Sequence, residues 1–461
     1  MKEKKAVNIL WIVTWVILSI LILFCLLNCL NILRNPYPDN YVDGIIVTHI
    51  NLLLEKGTYF LDIQSYPFIH AAYPPVFIML AAIFFKIFGP GFLIIRLLSF
   101  MFFLALAWLI YIFIKQQTKD QRLSLYFSGL LFAPIFIYHW IAVGRVDTLA
   151  ILFTVAGLFF YVKDQKKIVL PILLFTCAFF TKQTAILGAG AVFLDLWLIK
   201  KDLRKALDFF AYQAGAILGI FLVLTLLTQG QFFAHLITYT KVANIELPVM
   251  FTKYVRFFRP LAILSAFVVY GLITQKMNVL SIYFLLNVLF LITSGKDGAA
   301  SNYFIEPFIS MILCSALMIS NFLKKNKKGM ILIFCLLLFQ VVALVQNPRF
   351  YLNITQQALD PQFPAQAKLA RLVRNTPENI LAEDVGYLTM NNKPVLFQPF
   401  QFMKMAKAGM WDPNLILNDC YRKKFSLILA GERIKDLPGM KTCLRRSYRK
   451  TGRILDMDIY Q

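Results

Sequence analysis

Apolar runs long enough to cross a lipid bilayer recur along most of this chain, separated by short turns rich in Lys and Arg. In hydrocarbon a backbone must satisfy its own hydrogen bonds, and a helix of about 20 residues does so while spanning the membrane. The composition agrees, because 59% of the 461 residues are hydrophobic and 15% are charged. These features predict an all-α polytopic protein of the cell membrane.

The basic turns predict how the chain is threaded, because loops rich in Lys and Arg stay in the cytoplasm. Placing the amino terminus and the clusters at 115–122, 163–167, 200–205 and 324–329 in the cytoplasm gives about eleven spans. The amino end is then cytoplasmic and the carboxyl end extracytoplasmic. The predicted spans are 7–30, 92–114, 123–141, 147–162, 168–181, 184–199, 208–228, 257–275, 278–294, 303–323 and 329–346.

One apolar run, 73–88, is ambiguous because it is short, begins at a Pro-Pro pair and is followed by Gly-Pro-Gly. We interpret it as an interfacial or re-entrant helix within a long first outer loop, 31–91. The alternative is a full span, which would invert the topology of everything that follows it.

The formal net charge of +23 has two readings. A basic surface is typical of nucleic-acid binding, but here the charges form short clusters between apolar runs. That distribution is typical of cytoplasmic loops, so we expect membrane lipids rather than nucleic acid as partners.

The pattern changes near residue 346. Residues 1–346 are predicted to form the membrane domain, and 347–461 a small extracytoplasmic α/β domain with a helix at 365–374 and strands at 379–382, 394–397 and 425–430. Cys420 and Cys443 lie in this region, and they would be able to pair if it is exported. The sequence alone leaves that pairing open.

Three acids fall beside span ends on the predicted outer face: Asp43, Asp147 and Glu306. Acids at a membrane boundary are candidates for function. Each also has a structural reading, since Asp43 or Asp147 would serve as a helix cap and Glu306 as one half of an ion pair. Asp43 begins an amphipathic run and is the first candidate for catalysis.

The basic residues on the same face suggest phosphate chemistry. Lys182 suits a phosphate as a point charge, although a lysine here would equally extend to the interface. The four histidines show no metal-ligand spacing. The separated acids permit a divalent metal without requiring one, and no phosphate-binding loop, dinucleotide fingerprint or nucleophile elbow is present.

An ordered series of stretches carries a family resemblance: NYVDGIIVTHINLLLEKGTYF, AAYPPVFIMLAAIFFKIFGPGFLIIRLLSF, GRVDTLAILFTVAGLFFY, FFTKQTAILGAGAVF and SNYFIEP. Over residues 35–310 the series resembles the GT-C glycosyltransferases. More narrowly, it resembles the branch that contains the rhizobial lipopolysaccharide galacturonosyltransferases, the aminoarabinose transferases of lipid A and the protein O-mannosyltransferases.

The resemblance implies a polyprenyl-phosphate sugar donor and a first-loop acid that acts as base on the acceptor. One departure is visible: many relatives carry adjacent acids, whereas here Gly44 follows Asp43. From the resemblance, and from the chemistry of phosphate departure, we expect Asp43 and Asp147 to act in catalysis. Lys182 and Arg145 are expected to bind the donor phosphate. The residues expected to bind substrate are Tyr73, Asn302, Tyr303 and Glu306.

The sequence therefore predicts an integral membrane glycosyltransferase that moves a sugar from a lipid-linked donor to an extracytoplasmic lipid, glycan or protein acceptor. Two alternatives come from other classes. A transporter or flippase of a lipid-linked glycan is one, although such proteins bind at mid-membrane, often between repeated halves. A non-enzymatic assembly protein or receptor is the other, and it leaves the outer-face acids unexplained.

Overall fold

The structure is a computed structural model that describes residues 2–39, 41–241, 245–296, 298–326, 329–345, 347–377 and 379–461. Residue 346, at the predicted domain boundary, and residues 327–328 of the basic cluster 324–329 lie outside the described residues. The helices are α1 (Lys2–Arg34), α2 (Tyr41–Lys56), α3 (Pro75–Phe88), α4 (Phe92–Thr118), α5 (Gln121–Leu130), α6 (Ile135–Trp140), α7 (Asp147–Lys163), α8 (Val169–Thr181), α9 (Leu187–Leu194), α10 (Leu203–Leu227), α11 (Gln231–Phe233), α12 (Leu247–Phe258), α13 (Ala262–Thr274), α14 (Val279–Phe290), α15 (Ile305–Lys325), α16 (Met330–Ala343), α17 (Pro348–Leu359), α18 (Pro364–Asn375), α19 (Gly386–Thr389), α20 (Pro399–Lys407), α21 (Asn414–Tyr421), α22 (Glu432–Lys435) and α23 (Met440–Ser447). The strands are β1 (Ile380–Ala382), β2 (Leu427–Ala430), β3 (Lys450–Ile454) and β4 (Met457–Tyr460).

Many of these helices are built for a membrane. Within the described residues, five helices are long and apolar enough to cross a bilayer, or six if the bent pair α16 and α17 forms one span. Four further apolar helices are shorter. The all-α membrane fold predicted from the apolar runs is confirmed, whereas the number of about eleven spans stays a prediction.

Small residues let the membrane helices approach one another closely. A Cβ atom at Gly157 of α7 would lie 2.6 Å from the ring of Phe175 in α8, and one at Gly188 of α9 would lie 2.6 Å from Thr154. Close backbone approach of this kind is how helices associate in lipid, where burial of apolar groups gives no advantage. α7 and α8 consequently form an antiparallel hairpin against α4 and α9.

The first outer loop has a core of its own, in which α2 and α3 pack against each other and against α4. Three buried histidines tie it together: His49 Nε2 donates to the carbonyl of His70, His70 Nε2 to that of His235, and His235 Nε2 to that of Leu61. Burial lowers the pKa of His49 and His70 to about 3, and that of His235 to about 4. These histidines are therefore neutral structural groups.

The small C-terminal α/β domain is confirmed. Its four strands have the order β1-β2-β4-β3, with β1 and β2 parallel and the other pairs antiparallel. The strands predicted at 379–382 and 425–430 correspond to β1 and β2, and the predicted helix at 365–374 is α18. The strand predicted at 394–397 is wrong, because only Phe397 pairs there, as an isolated bridge to Phe68 of the first loop.

A disulfide joins Cys420 in α21 to Cys443 in α23, on the inner side of this domain. The pairing that the sequence left open is therefore present in the structure. The helix that precedes the domain, α17, packs along the carboxyl-terminal part of α1, where Asn31 Nδ2 donates to the carbonyl of Ile354.

The domain docks on the first outer loop. Ile63 and Phe68 of the loop lie in the same apolar cluster as Phe402 and Trp411 of the domain. Two glycines allow a close approach, because a Cβ atom at Gly44 would lie 2.3 Å from the backbone nitrogen of Gly386. α2 and α19 therefore meet backbone against backbone.

We predict that Gly44→Ala lowers stability, because the added methyl group overlaps backbone that cannot move aside. Overpacking of this kind costs about 1–3 kcal/mol, measured as a lower melting temperature and faster proteolysis of the C-terminal domain. Gly215→Ala in α10 is the matched control, since a Cβ atom there meets nothing within 4 Å. Equal melting temperatures for the two variants would contradict the docking contact.

Candidate active site

A buried carboxylate, Asp147, organises the outer end of the membrane domain. It is the first residue of α7 and is 1% exposed. Its Oδ1 accepts hydrogen bonds from Lys182 Nζ at 2.7 Å and Asn302 Nδ2 at 3.0 Å, and its Oδ2 accepts from Arg145 Nε at 2.8 Å. One acid thus joins the loop before α7, the end of α8 and the turn before α15.

Aromatic side chains surround the two cations. The Arg145 guanidinium lies 5.0 Å from the ring centre of Trp140, and its Nη2 donates to the hydroxyl of Tyr73 at 3.1 Å. Lys182 Nζ lies 5.2 Å from the ring centre of Tyr303. Aromatic faces attract cations, so the rings help to hold both charges in place.

Glu306 stands beside this cluster. Its Oε1 accepts a hydrogen bond from the hydroxyl of Tyr283 at 2.9 Å, within the first turn of α15. The direct partner of Glu306 is therefore a tyrosine hydroxyl and not the basic side chain of the expected ion pair. Seven of the eight predicted site residues lie in or next to this one cluster: Tyr73, Arg145, Asp147, Lys182, Asn302, Tyr303 and Glu306.

Asp43, the eighth, lies in a neighbouring layer. It has no exposed surface, its Oδ2 pairs with Arg96 Nη2 at 2.6 Å, and its Oδ1 accepts from the backbone nitrogen of Gly144 at 3.2 Å. Burial raises the pKa of Asp43, and the Arg96 guanidinium opposes that rise. In this arrangement the Asp43 carboxylate contacts Gly144, the residue before Arg145, and is fully enclosed by protein.

A cavity of about 310 Å³ opens on the other side of Arg145 and Tyr73. Its walls come from α2, the first loop and the C-terminal domain, through Tyr41, His70 and Phe400. This volume lies at the lower end of the roughly 300–1,000 Å³ range of ligand pockets. A ligand in this cavity would contact the guanidinium of Arg145.

Sequence reasoning missed Trp140, Tyr41 and the residues from the C-terminal domain. Trp140 ends α6 and carries no motif, so only the outer-face topology pointed to its neighbourhood. Phe400 and Arg433 enter the cavity wall because the domain docks on α2, and no local pattern in the sequence indicates that docking.

The residues do not form a metal site. Within the described ranges, no group of three or more His, Cys, Asp or Glu side chains is arranged to hold a metal ion. Both oxygens of Asp147 already accept from cationic or amide donors. Arg145 and Lys182 are the cations of this cluster.

Comparison with known proteins agrees with this geometry. Residues 66–198 match the family described as "Alpha-(1->6)-mannopyranosyltransferase, N-terminal domain". The matched stretch contains Tyr73, Trp140, Arg145, Asp147 and Lys182. A comparison with curated proteins finds no significant match.

The fold is shared with a solved membrane protein structure, ArnT, along nearly the whole chain. ArnT from Cupriavidus metallidurans bound to undecaprenyl phosphate superposes with a TM-score of 0.64 and 12% identity, over 96% of this chain and 97% of that one. The apo state of ArnT gives a TM-score of 0.62 and 10% identity, over 97% of each chain. The chain therefore has the GT-C fold, and the predicted resemblance to GT-C membrane glycosyltransferases is confirmed.

We predict that Asp147→Asn destabilises the protein by about 3–5 kcal/mol, because it leaves Arg145 and Lys182 buried without a counter-charge. The measurement is thermal unfolding in detergent. Asp164→Asn, at the opposite end of α7, is the control, since that side chain is 43% exposed and its ion pair with Lys167 lies at the surface. A loss of stability that is no larger for Asp147→Asn than for the control would count against the central role of this carboxylate.

Proposed function

We propose that this protein is an integral membrane glycosyltransferase that moves a sugar from a polyprenyl-phosphate donor to an acceptor hydroxyl. The observation that carries the proposal is the pair of cations, Arg145 and Lys182, held by one buried carboxylate beside a cavity. It is supported by the GT-C fold and by the mannosyltransferase match over the same residues.

The cations account for the departure of the phosphate. As the acceptor oxygen bonds to the anomeric carbon, the bond from that carbon to the phosphate oxygen breaks, and the electron pair leaves with the polyprenyl phosphate. Arg145 and Lys182 would stabilise the charge that develops there, because they are already oriented before the reaction begins. Asp147 acts as a positioning residue in this scheme, with Asn302 bonded to the same oxygen as Lys182.

The acceptor proton requires a base, and Asp43 remains our proposed base. In the present arrangement Arg96 covers its Oδ2, so action as a base requires that this pair open when substrates bind. The Asp39–His139 pair is the nearest exposed alternative, with 3.4 Å between Asp39 Oδ2 and His139 Nδ1 and side-chain exposures of 23% and 40%.

We further propose that the active site and the C-terminal domain face the extracytoplasmic side. The disulfide in the domain supports this orientation, because such bonds persist in oxidising compartments. The hairpin of α7 and α8 supports it too, since its basic turn lies at the end opposite Asp147 and Lys182.

We expect Lys182→Gln to reduce transfer at least about 100-fold, the scale seen when one group that stabilises developing charge is removed. The assay follows mannose from undecaprenyl-phosphate mannose to an α-mannoside in nanodiscs. Lys167→Gln is the control, because Lys167 lies just before the other end of α8 and is 85% exposed. Movement of the donor across vesicles without any product, in the wild type, would instead favour the transporter or flippase.

The proposed base is tested by a double variant, because Asp43→Asn alone leaves Arg96 buried and unpaired. We expect the single variant Asp43→Asn to lose both stability and activity. The double variant, Asp43→Asn with Arg96→Gln, should recover part of the melting temperature, while its transfer rate stays about 100-fold or more below that of the wild type. A double variant with restored transfer would assign the base elsewhere, and His139→Gln would then be the next variant to assay.

A further inference from the structure

A second, larger cleft lies between the first outer loop and the C-terminal domain. Its volume is about 960 Å³, at the upper end of the roughly 300–1,000 Å³ range of ligand pockets. We call it the domain cleft and define it by Asp39, Tyr41, Asp384, Arg433, Arg453 and Asp456. None of the eight site residues predicted from the sequence lies in it.

The domain cleft and the cavity over Arg145 share two lining residues, Tyr41 and Arg433. The Arg433 guanidinium lies 4.5 Å from the ring centre of Tyr41 and 5.2 Å from that of Phe400. Tyr41 and Arg433 thus lie where the linings of the two spaces meet, with Phe400 on the side of the cavity over Arg145. A molecule in the cleft therefore lies next to the proposed site of transfer.

Arg433 is held at this border by the domain itself. Glu383 accepts hydrogen bonds from the backbone nitrogens of Arg433 and Ile434, at 3.2 and 3.0 Å, and so fixes the first turn of α22. A Cβ atom at Gly431 would lie 2.5 Å from the Glu383 side chain, so the glycine leaves room for that carboxylate. Glu383 is thereby occupied, and Lys435 is held by Asp458 at 2.6 Å. The charged groups that we consider as ligand contacts are Asp384, Arg433, Arg453 and Asp456.

Those groups indicate the ligand's chemistry. Asp384 and Asp456 are acceptors, Arg433 and Arg453 are donors, and tyrosine rings line the floor. Carboxylates accept from hydroxyl groups, arginines donate to ring and hydroxyl oxygens, and aromatic faces cover the apolar face of a sugar. Few apolar side chains line the cleft, so a lipid tail does not suit it.

We propose that the domain cleft binds the glycan portion of the acceptor and directs its terminal hydroxyl past Tyr41 and Arg433 into the cavity over Arg145. This inference rests on the proposed glycosyltransferase function and names the acceptor as a hydroxyl-rich glycan presented from the aqueous side. A peptide acceptor is the competing class. It is disfavoured because carboxylates and guanidinium groups, rather than apolar pockets for alternate side chains, dominate the lining.

The test measures binding and transfer separately on the full chain in nanodiscs, with α-(1→6)-mannotriose as the glycan probe. We expect Asp456→Asn and Arg453→Gln, both exposed positions that cannot disturb the core, each to raise the KM for mannotriose about tenfold with kcat retained. The deeper variant Asp384→Asn should do so more strongly. Asp436→Asn is the matched control, because that acid lies outside the cleft and pairs with Lys407 and Lys441.

Two results would overturn the inference: wild-type kinetics in all three cleft variants, or saturable binding of a Ser/Thr-rich decapeptide in place of mannotriose. A weaker mannotriose affinity in the variants, with undecaprenyl phosphate bound as tightly as by the wild type, supports it. Failure of the proposed function is a different observation. It would appear as the absence of any transfer from undecaprenyl-phosphate mannose by a wild-type protein that still binds mannotriose.

Discussion

The Arg96 guanidinium uses its donors entirely inside the protein. Its nitrogens bond to Asp43 Oδ2 and to the backbone carbonyls of Ile32, Asn35 and Tyr37, and neither side chain of the ion pair is exposed. A buried cation costs several kcal/mol unless it is paired and fully hydrogen-bonded, and this one is. The bonds also occupy carbonyls at the end of α1, where the helix leaves acceptors unpaired. One side chain of α4 thereby fixes the exit from the first membrane helix, the turn that follows, and the start of α2.

The same solution recurs one layer away, at Asp147. At Asp147 the central group is an anion and not a cation, since one carboxylate binds two cations and an amide from separate parts of the chain. The two clusters meet at a short turn, because Gly144 bonds to Asp43 while the next residue, Arg145, bonds to Asp147. A phosphate would find positive charges already positioned, so little reorganisation is needed when charge develops on the leaving group. The arrangement also explains why acids are abundant in a site that we expect to bind an anion: they hold the cations in place.

Much of this was predictable from the chain, and for a physical reason. Positive turns and apolar runs determine which span ends share a face, and that placed Arg145, Asp147, Lys182 and Asn302 together before any contact was known. The ion pair of Asp43 with Arg96 was not predictable, because it depends on the path of the chain after α1. β3 and β4 were missed because β3 is mostly exposed, and its residues carry no apolar alternation. The role of Arg433 depends on how two separately folded parts dock, which neither part encodes in its own periodicity.

Gly44 lies where the buried ion pair of Asp43 meets the docked C-terminal domain. The resemblance leads one to expect a second acid where this sequence has Gly44, and backbone of the C-terminal domain fills the space that a side chain there would need. Docking at that position brings Asp384 toward Asp43, whose negative charge adds to the effect of burial and raises the pKa of the Asp384 carboxyl to about 6. Arg96 holds α2 in place, and the C-terminal domain docks on α2. The same buried guanidinium therefore also helps to set the position of Tyr41 against Arg433 at the edge of the cleft.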